Sequence, residues 1–252
     1  GKDVLNKFSL HTIFTGNPGT GKTTVARIMG KIFKALGILE RGHTVEVDRE
    51  SLVAGFIGQT AIKTQQKIDE ALGGVLFIDE AYALAEGGSG NDFGKEAIEV
   101  ILKRMEDLRG QFVVFAAGYT DNLNVFLTSN PGLNSRFDKK LHFEDYTPEE
   151  MMKIALHYFS KEELTVTQEA KNHLIIYFTD IHKNRDKFFG NARTVRQTIS
   201  EAVKNQHLRM AKIAASLRNE QDIHSLLLED VAEFSYQGNS LKRTVGFRLG
   251  GN

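Results

Sequence analysis

Residues 16–23 read GNPGTGKT and match the pattern G-x-x-x-x-G-K-[ST], which is typical of loops that hold phosphate groups. The preceding residues His11–Thr15 have the composition of a short buried strand, and apolar residues recur at helical spacing over 24–36. Glycines allow a tight turn with inward N–H groups, and the helix start adds the positive end of its dipole. A chance glycine-rich turn would lack this strand and helix, so the sequence predicts a nucleotide-phosphate site.

The side chains of this motif suggest separate roles. Lys22 places a positive charge where the outer phosphates would lie, and the Thr23 hydroxyl is a suitable ligand for Mg²⁺. The other positions would surround the phosphates mainly through their backbone. We therefore expect the nucleotide to be bound by Gly16, Asn17, Pro18, Gly19, Thr20, Gly21, Lys22, Thr23 and Thr24.

A second informative stretch is Val75–Ile78, whose four consecutive apolar residues predict a strand buried on both faces, as in a parallel sheet. Two carboxylates, Asp79 and Glu80, follow it. Because ligands bind at the carboxyl ends of strands in open α/β sheets, we expect Asp79 to hold Mg²⁺ beside Thr23, directly or through water. Glu80 would then polarise the water that attacks the γ-phosphate. The alternative is a strand that ends in a solvated acidic pair.

Composition excludes several other classes of protein. Hydrophobic residues make up 41% and charged residues 25% of the 252 residues, which is ordinary for a globular chain. Lys+Arg and Asp+Glu both number 32, so a formal net charge of zero argues against a general nucleic-acid or anionic-membrane binder. The absence of cysteine excludes disulfides and zinc thiolates and suits a cytoplasmic protein. No apolar run is long enough to span a membrane, and the first residues do not form a signal peptide.

The periodicity divides the chain near residue 146. Strands alternate with helices before that point, which implies parallel strands and right-handed crossovers, and Asn130-Pro131-Gly132 is predicted to be a turn. Helical spacing prevails after it, with one helix that starts at Pro148 behind a Thr147 cap and a long one from Asn191 or Ala192 to about Leu217. Because the first strand begins close to residue 1, we expect the natural protein to be longer. The predicted strands are His11–Thr15, His43–Val47, Val75–Ile78, Gln111–Ala117 and a short one near Leu141–Phe143, with a weak signal at Leu164–Thr167.

Seven motifs give the chain a resemblance to a known family. They are GNPGTGKTTVAR (16–27), GFIGQTAIKT (55–64), GGVLFIDEAYAL (73–84), FGKEAIE (93–99), AAGYTD (116–121), NPGLNSRF (130–137) and GNARTVR (190–196). The chain resembles the AAA+ ATPases, and within them the group that contains the red-type Rubisco activase CbbX and the stage V sporulation protein K. The resemblance covers residue 11 to about residue 215 and keeps the motifs in the same order.

This resemblance implies an AAA+ module in which a five-stranded parallel α/β subdomain is followed by a small helical lid. We expect the α/β subdomain at 1–146, the lid at 147–236 and a loose tail at 237–252. The resemblance also implies ATP hydrolysis with Mg²⁺, and a homohexameric ring that binds ATP between neighbouring subunits. It further suggests a protein client, whereas the zero net charge and the lack of a long apolar run make nucleic acid and membrane unexpected as partners.

The resemblance assigns roles to two arginines. Arg136 lies where the family places its arginine finger, which would stabilise the charge that develops on the neighbour's γ-phosphate. The alternative is a surface arginine or an ion-pair partner. Arg193 matches the sensor-2 arginine that contacts the phosphates of its own subunit, and Arg196 is the second candidate because it lies one helical turn later.

The place of the polar residue called sensor 1 is occupied by Tyr119. Thr120, Asp121 and Asn122 follow it, so the residue that contacts water or phosphate stays open among these four. Tyr119 is the expected nucleotide-contacting residue by position.

The segment Phe56-Ile57-Gly58 matches the aromatic–hydrophobic–glycine loop that lines the central pore of ring translocases. An exposed aromatic between glycines would grip an extended peptide through apolar contact, whereas the alternative is that Phe56 belongs to the core. The glycine-rich stretch 87–91 is a candidate second pore loop.

Three functions therefore compete. The first is an ATP-driven remodelling protein that acts on a protein client through its pore loop, with a Rubisco-activating or a sporulation- or secretion-related client as examples. The second is a scaffold whose assembly depends on nucleotide binding. The third is a DNA-acting AAA+ loader, against which the zero net charge and the aromatic loop both count.

Overall fold

The computed structural model of the protein describes residues 10–56, 58–86, 93–214 and 218–235. The chain forms two compact units, Gly1–Asp145 and Tyr146–Asn252. The predicted tail at 237–252 lies outside the described residues. Within the described ranges, no helix is both long and apolar enough to cross a membrane.

The first unit contains a five-stranded sheet in which every pair of neighbours is parallel, in the order β2-β3-β4-β1-β5. This confirms the predicted parallel α/β fold. All five residues of β1 are buried, and the strand has a partner on each side. The strands are β1 (Thr12–Gly16), β2 (Thr44–Val47), β3 (Val75–Ile78), β4 (Val113–Gly118) and β5 (Lys139–Phe143).

In the described part of this unit, six helices accompany the sheet, together with a short 3₁₀ turn at Ala81–Leu84. The last of them forms where the sequence predicted only a turn at Asn130-Pro131-Gly132. The Asn130 side chain accepts a hydrogen bond from the Gly132 N–H and Pro131 occupies the first helical turn, so cap chemistry starts a helix there. The helices are α1 (Lys22–Ala35), α2 (Arg49–Leu52), α3 (Gln59–Ala71), α4 (Phe93–Asp107), α5 (Thr120–Ser129) and α6 (Pro131–Arg136).

Alternate residues of the strands build two separate cores. Phe14 and Phe115 stack with their ring centroids 4.7 Å apart on the side of the sheet that α1 covers with Ala26. Ile13 belongs to the opposite side, where it joins the apolar residues of α2 to α6. Since successive side chains of a strand point to opposite faces, both faces of β1 are buried and its position in the sheet is fixed.

The second unit is predominantly helical, as predicted, with its own core. It also contains a parallel bridge of two residues per strand, which pairs Thr165 with Ser225 and falls within the weak strand signal at 164–167. The elements are α7 (Pro148–Lys161), β6 (Thr165–Val166), α8 (Gln168–Lys183), α9 (Ala192–Ala211), α10 (Glu220–Ile223), β7 (Ser225–Leu226) and α11 (Leu228–Val231). The predicted end of α9 at Leu217 was too late, because the helix ends at Ala211.

A buried ion pair joins α9 to α11. Asp230 is only 1% exposed, and its Oδ1 accepts a hydrogen bond from Arg209 Nε at 2.9 Å. Asp230 Oδ2 accepts from Arg209 Nη2 at 3.1 Å and from the Leu227 N–H at 2.8 Å. Arg209 also donates to the Ser225 carbonyl at 2.8 Å. Removing one partner of such a pair leaves an uncompensated buried charge.

We predict that Asp230→Ala destabilises the second unit by roughly 3–5 kcal/mol, because Arg209, whose side chain is 12% exposed, would keep only the exposed Glu229 carboxylate at 3.7 Å as a counter-ion. Hydrogen exchange of the α9 amides in the whole chain would measure this effect. Glu201→Gln is the control, since Glu201 forms an exposed pair with Lys204 within the same helix and should leave exchange unchanged. Equal exchange in the two variants would contradict the prediction.

Candidate functional site

The glycine-rich loop begins at the carboxyl end of β1, where the chain runs alongside β5. Gly16 has a φ of 142°, and a Cβ built on it would lie 2.4 Å from the carbonyl oxygen of Phe143. Only glycine fits this position, because the clash is with backbone. Gly19 and Gly21 also have positive φ values, of 73° and 94°, so the loop needs glycine at three of its turns.

The loop is closed by side chains that bond to its own carbonyls. Lys22 Nζ donates to the carbonyls of Gly16 and Asn17, at 2.9 Å and 2.8 Å. Thr20 Oγ1 donates to the Asn17 carbonyl at 2.8 Å. Gly21, which precedes α1, has no side chain that could cap the helix, and the first turn of α1 carries no acidic residue. The positive end of α1 therefore faces the loop, an arrangement suited to an anion.

The side chain of Asn17 makes a second connection. Its Nδ2 donates to Asp145 Oδ1 at 3.0 Å and lies 3.1 Å from Oδ2. Asp145 follows β5, whose last residue Phe143 pairs in register with Gly16. Sequence reasoning missed Asp145, since only the β1–β5 register brings it to the loop.

The predicted acidic pair lies at the carboxyl end of β3. The N–H of Asp79 donates to the Val47 carbonyl at 2.8 Å, and its Oδ1 accepts from the Glu80 N–H at 3.0 Å. Both side chains are exposed. Glu80 has φ 47° and ψ 43°, a left-handed conformation that is unfavourable for glutamate. Because all strands are parallel, this pair and the glycine-rich loop lie along the same edge of the sheet.

These residues suit Mg²⁺ chemically. Magnesium prefers oxygen ligands and usually keeps several waters, with one or two carboxylates and the phosphates of its substrate. Thr23 and Asp79 supply a hydroxyl and a carboxylate of that kind. No cluster of three or more His, Asp or Glu side chains that could hold a metal occurs among the described residues, so an all-protein metal cage is absent from that part of the chain.

Two tyrosines connect the ends of β3 and β4, and sequence reasoning missed the first of them. Tyr82 packs on Gly118, where an added Cβ would lie 2.8 Å from its ring, and its ring centroid is 6.1 Å from that of Tyr119. Burial, followed by the nearby Glu80 carboxylate, raises the pKa of Tyr82 to about 12. Tyr82 thus stays a neutral hydroxyl beside the acidic pair, and its ring lies next to that of Tyr119 at the expected sensor-1 position.

Arg136 is the last residue of α6 and forms an ion pair with Glu106 of α4. Glu106 also contacts Arg109 at 3.4 Å. The neighbouring His11 is largely buried and accepts a hydrogen bond from the Val114 N–H at 2.9 Å through Nδ1. Burial, followed by the positive charge of Arg136, lowers the pKa of His11 to about 4. His11 is therefore neutral at physiological pH, and its ring lies edge-on to that of Phe137.

Arg193 lies in the second unit, in the first turn of α9, and is exposed. The preceding Asn191 is completely buried, with φ 48°. Its Oδ1 accepts from the Tyr146 N–H at 2.8 Å and its Nδ2 donates to the Phe189 carbonyl at 3.1 Å. Arg196, the second candidate, is also exposed and donates from Nε to the Ala192 carbonyl.

The predicted pore-loop residue Phe56 is 72% exposed, so it does not belong to the core. Gly55 and Gly58 flank it, and neither has any atom within 4 Å of an added Cβ. Ile57 lies outside the described residues, as does the candidate second loop at 87–91.

Side chains of α3 hold the base of this loop. Thr60 Oγ1 accepts from the Ala54 N–H at 3.0 Å, Lys63 Nζ donates to the Val53 carbonyl at 3.0 Å, and Thr64 Oγ1 donates to the Leu52 carbonyl at 3.0 Å. The backbone just before the exposed Phe56 is thus held by hydrogen bonds from α3.

Two families match the chain in sequence. Residues 12–145 match the ATPase family associated with various cellular activities (AAA), and residues 147–240 match the AAA lid domain. The chain therefore belongs to the AAA family of ATPases, whose members bind nucleotide.

Curated relatives narrow the group. The chain is 44% identical over 207 residues to stage V sporulation protein K of Bacillus subtilis, covering 82% of this chain and 64% of that protein. It is 41% identical over 222 residues to the chloroplastic ribulose bisphosphate carboxylase/oxygenase activase of Cyanidioschyzon merolae (88% and 75% covered). It is 40% identical over 223 residues to Protein CbbX of Cereibacter sphaeroides (88% and 72% covered). The resemblance to this group is thereby confirmed.

Solved structures share the fold. The FIGL-1 AAA domain in complex with ADP superposes with a TM-score of 0.60 at 19% identity, over 90% of this chain and 71% of that one. At that identity the likeness concerns the fold alone.

The low pKa of His11 predicts a pH-dependent stability. The unfolded chain takes up this proton near pH 6.5 and the folded chain only near pH 4, so the stabilisation is complete above 6.5 and is lost as pH falls towards 4. The loss is about 3 kcal/mol. In His11→Asn the amide oxygen can still accept from the Val114 N–H but does not titrate, so urea unfolding should show about 3 kcal/mol less loss between pH 7 and pH 4.

The control replaces an exposed histidine, His207→Asn, and tests whether the loss of any histidine has the same effect. Parallel stability curves for the wild type and His11→Asn would show that His11 is not responsible.

Proposed function

We propose that this protein hydrolyses ATP to ADP and phosphate in a homohexameric ring and uses the cycle to remodel a protein client. The observation that carries the proposal is the shared sheet edge, where the Lys22 loop and the Asp79–Glu80 pair both lie. The left-handed backbone of Glu80 supports it further. A non-glycine residue in this conformation costs of order 1 kcal/mol, and such outliers cluster at functional sites.

The chain's own residues would divide the reaction among them. Lys22, already held at the loop, would bind the outer phosphates, and the start of α1 would hold the phosphate oxygens by its N–H groups. Glu80 would orient the attacking water and accept its proton, while Tyr82 keeps Tyr119 in place at the end of β4. Mg²⁺ held by Thr23 and Asp79 would neutralise charge on the β- and γ-phosphates when bound.

Arg136 supports a site that is shared between subunits. It ends a helix at the unit's surface, with its side chain 29% exposed, and its partner Glu106 is 51% exposed. An arginine in such a pair remains able to turn to a stronger anion, because exposed ion pairs contribute little stability. We propose that Arg136 reaches the ATP of a neighbouring subunit and that Arg193 contacts the ATP of its own.

The client contact would be the loop around Phe56. An aromatic side chain that is exposed, flanked by open glycines and bonded firmly at its base can transmit a pull to an extended peptide. Two relatives, a Rubisco activase and a sporulation protein, suggest two candidate client classes for this chain. The nucleotide-dependent scaffold remains the second candidate function, since assembly through Arg136 would need ATP binding alone.

We predict that Glu80→Gln lowers the steady-state ATPase kcat by about 10²–10⁴-fold while ATP still binds, because the amide cannot accept the proton of the attacking water. Fluorescent-nucleotide binding and phosphate release would measure the two quantities. Glu99→Gln, an exposed carboxylate on α4, is the matched control. Turnover equal to that of the wild type would exclude Glu80 as the base, and full remodelling by Glu80→Gln would favour the scaffold.

We predict that Phe56→Ala keeps ATPase turnover within about twofold but weakens ATP-dependent binding of an unfolded polypeptide by about tenfold, because one buried anchor can dominate such a contact. Fluorescein-labelled casein would serve as the probe, with anisotropy as the readout. Phe56→Tyr should retain binding. Ile62→Ala removes another exposed apolar side chain, 58% exposed on α3, and should have no effect. Unchanged casein binding by Phe56→Ala would rule out the pore-loop role.

A further inference from the structure

The two residues that join the units are each tied to a functional element of their own unit. Asp145 is the last residue of the first unit and Tyr146 the first of the second. Asp145 accepts from the side chain of Asn17 in the phosphate loop. Tyr146 donates its N–H to the side chain of Asn191, which begins α9. One peptide bond therefore separates the partner of the loop from the partner of the helix that carries Arg193.

Both contacts are more than surface hydrogen bonds. Asn17 uses its carbonyl inside the loop, for Thr20 and Lys22, and its side-chain amide for Asp145. Any shift of the loop backbone at Asn17 must therefore act on Asp145. Asn191 is fully buried, so the bond from Tyr146 cannot be exchanged cheaply for water.

Within the first unit, the end of β5 lies closely against the start of the loop. Gly16 lies against Phe143 so closely that no Cβ fits between them, and the Thr15 hydroxyl bonds to His142 Nδ1 at 2.9 Å. The end of β5 thus moves with the start of the loop. A carboxylate beside a loop for anionic phosphates is electrostatically unfavourable in itself, so Asp145 needs a reason other than nucleotide binding.

We infer that Asn17 and Asp145 are positioning residues that transmit occupancy of the phosphate loop, through the Asp145–Tyr146 peptide bond and Asn191, to the start of α9. The inference rests on the proposed function in that the loop must bind ATP, but it does not require hydrolysis. Neither residue contacts the reacting atoms. Their role is to couple nucleotide binding to the placement of Arg193.

An isosteric exchange tests this pair. Asn17→Asp opposes two carboxylates, Asp145→Asn leaves a weaker amide–amide contact, and the double variant restores an amide–carboxylate bond in the reverse direction. The chain has no cysteine, so Gln66→Cys on α3 and Ser200→Cys on α9, both exposed, would accept one spin label each. The distance between the labels is then measured with and without a non-hydrolysable ATP analogue, in an excess of unlabelled protein.

We expect the analogue to change the label distance in the wild type and in the double variant. The change should be nearly absent in Asn17→Asp and smaller than that of the wild type in Asp145→Asn. The ATPase kcat should follow the same order, with a loss of about tenfold in Asn17→Asp. Titration of the analogue to saturation separates this effect from lost affinity. In addition, a direct charge effect of the Asn17→Asp substitution on binding would persist in the double variant, whereas the loss of coupling would not.

The inference would be overturned if the distance change in both single variants were as large as in the wild type. It would also be overturned if the distance change in the double variant were no larger than in Asn17→Asp. Thermal unfolding midpoints of all four proteins identify a variant that merely fails to fold. If one single variant does so, the double variant is compared with the other single variant instead. Because the analogue is not hydrolysed, failure of Glu80 as the base would leave this result unaffected.

Discussion

The pairing of β1 with strands on both sides is the constraint on which the site depends. β4 and β5 hold β1 in register along its length, and its side chains fill a core on each face. Because Gly16 touches the Phe143 backbone with no room for a side chain, the phosphate loop begins at one fixed point. Close-packed interiors transmit strain, so under the inferred coupling the same contact would make the end of β5 sensitive to a shift of the loop.

The parallel order of the strands brings the polar residues of the candidate site to one edge of the sheet. The strands of the five-stranded sheet are parallel and end at the same edge, and polar or charged residues follow β1, β3, β4 and β5 there. Among the described residues, three non-glycine residues have a positive φ, namely Glu80, Glu163 and Asn191; Glu80 follows β3, and Asn191 directly precedes α9. Each costs of order 1–3 kcal/mol, which the large apolar cores of the two units offset. At Glu80 the backbone thus adopts a conformation that glutamate disfavours, at a position where the candidate site places a carboxylate.

Sequence reasoning reached the fold because its signals are local. The apolar run Val75–Ile78, the glycine pattern of 16–23 and the Pro148 helix start each depend on neighbouring residues alone. The same reasoning could not reach pairs such as Asn17–Asp145, which lie 128 positions apart and meet only through the β1–β5 register. The sequence did not indicate Tyr82 for a similar reason, since the position of its ring depends on packing against Gly118 of another strand. The helix at Pro131–Arg136 was missed although its cap signal was present.

The ion pair of Arg136 would stabilise this arginine in a single chain under the proposal of a site shared between subunits. An unpaired arginine at a half-buried helix end would cost desolvation, and a fully buried pair would be too costly to open. Glu106 is between these limits, since it is half exposed and also faces Arg109. A terminal phosphate carries more charge than a carboxylate and accepts bidentate bonds from guanidinium. Under the proposed function, exchange of Glu106 for a neighbour's phosphate would be favourable only when ATP is present, and assembly at this surface would then depend on the nucleotide.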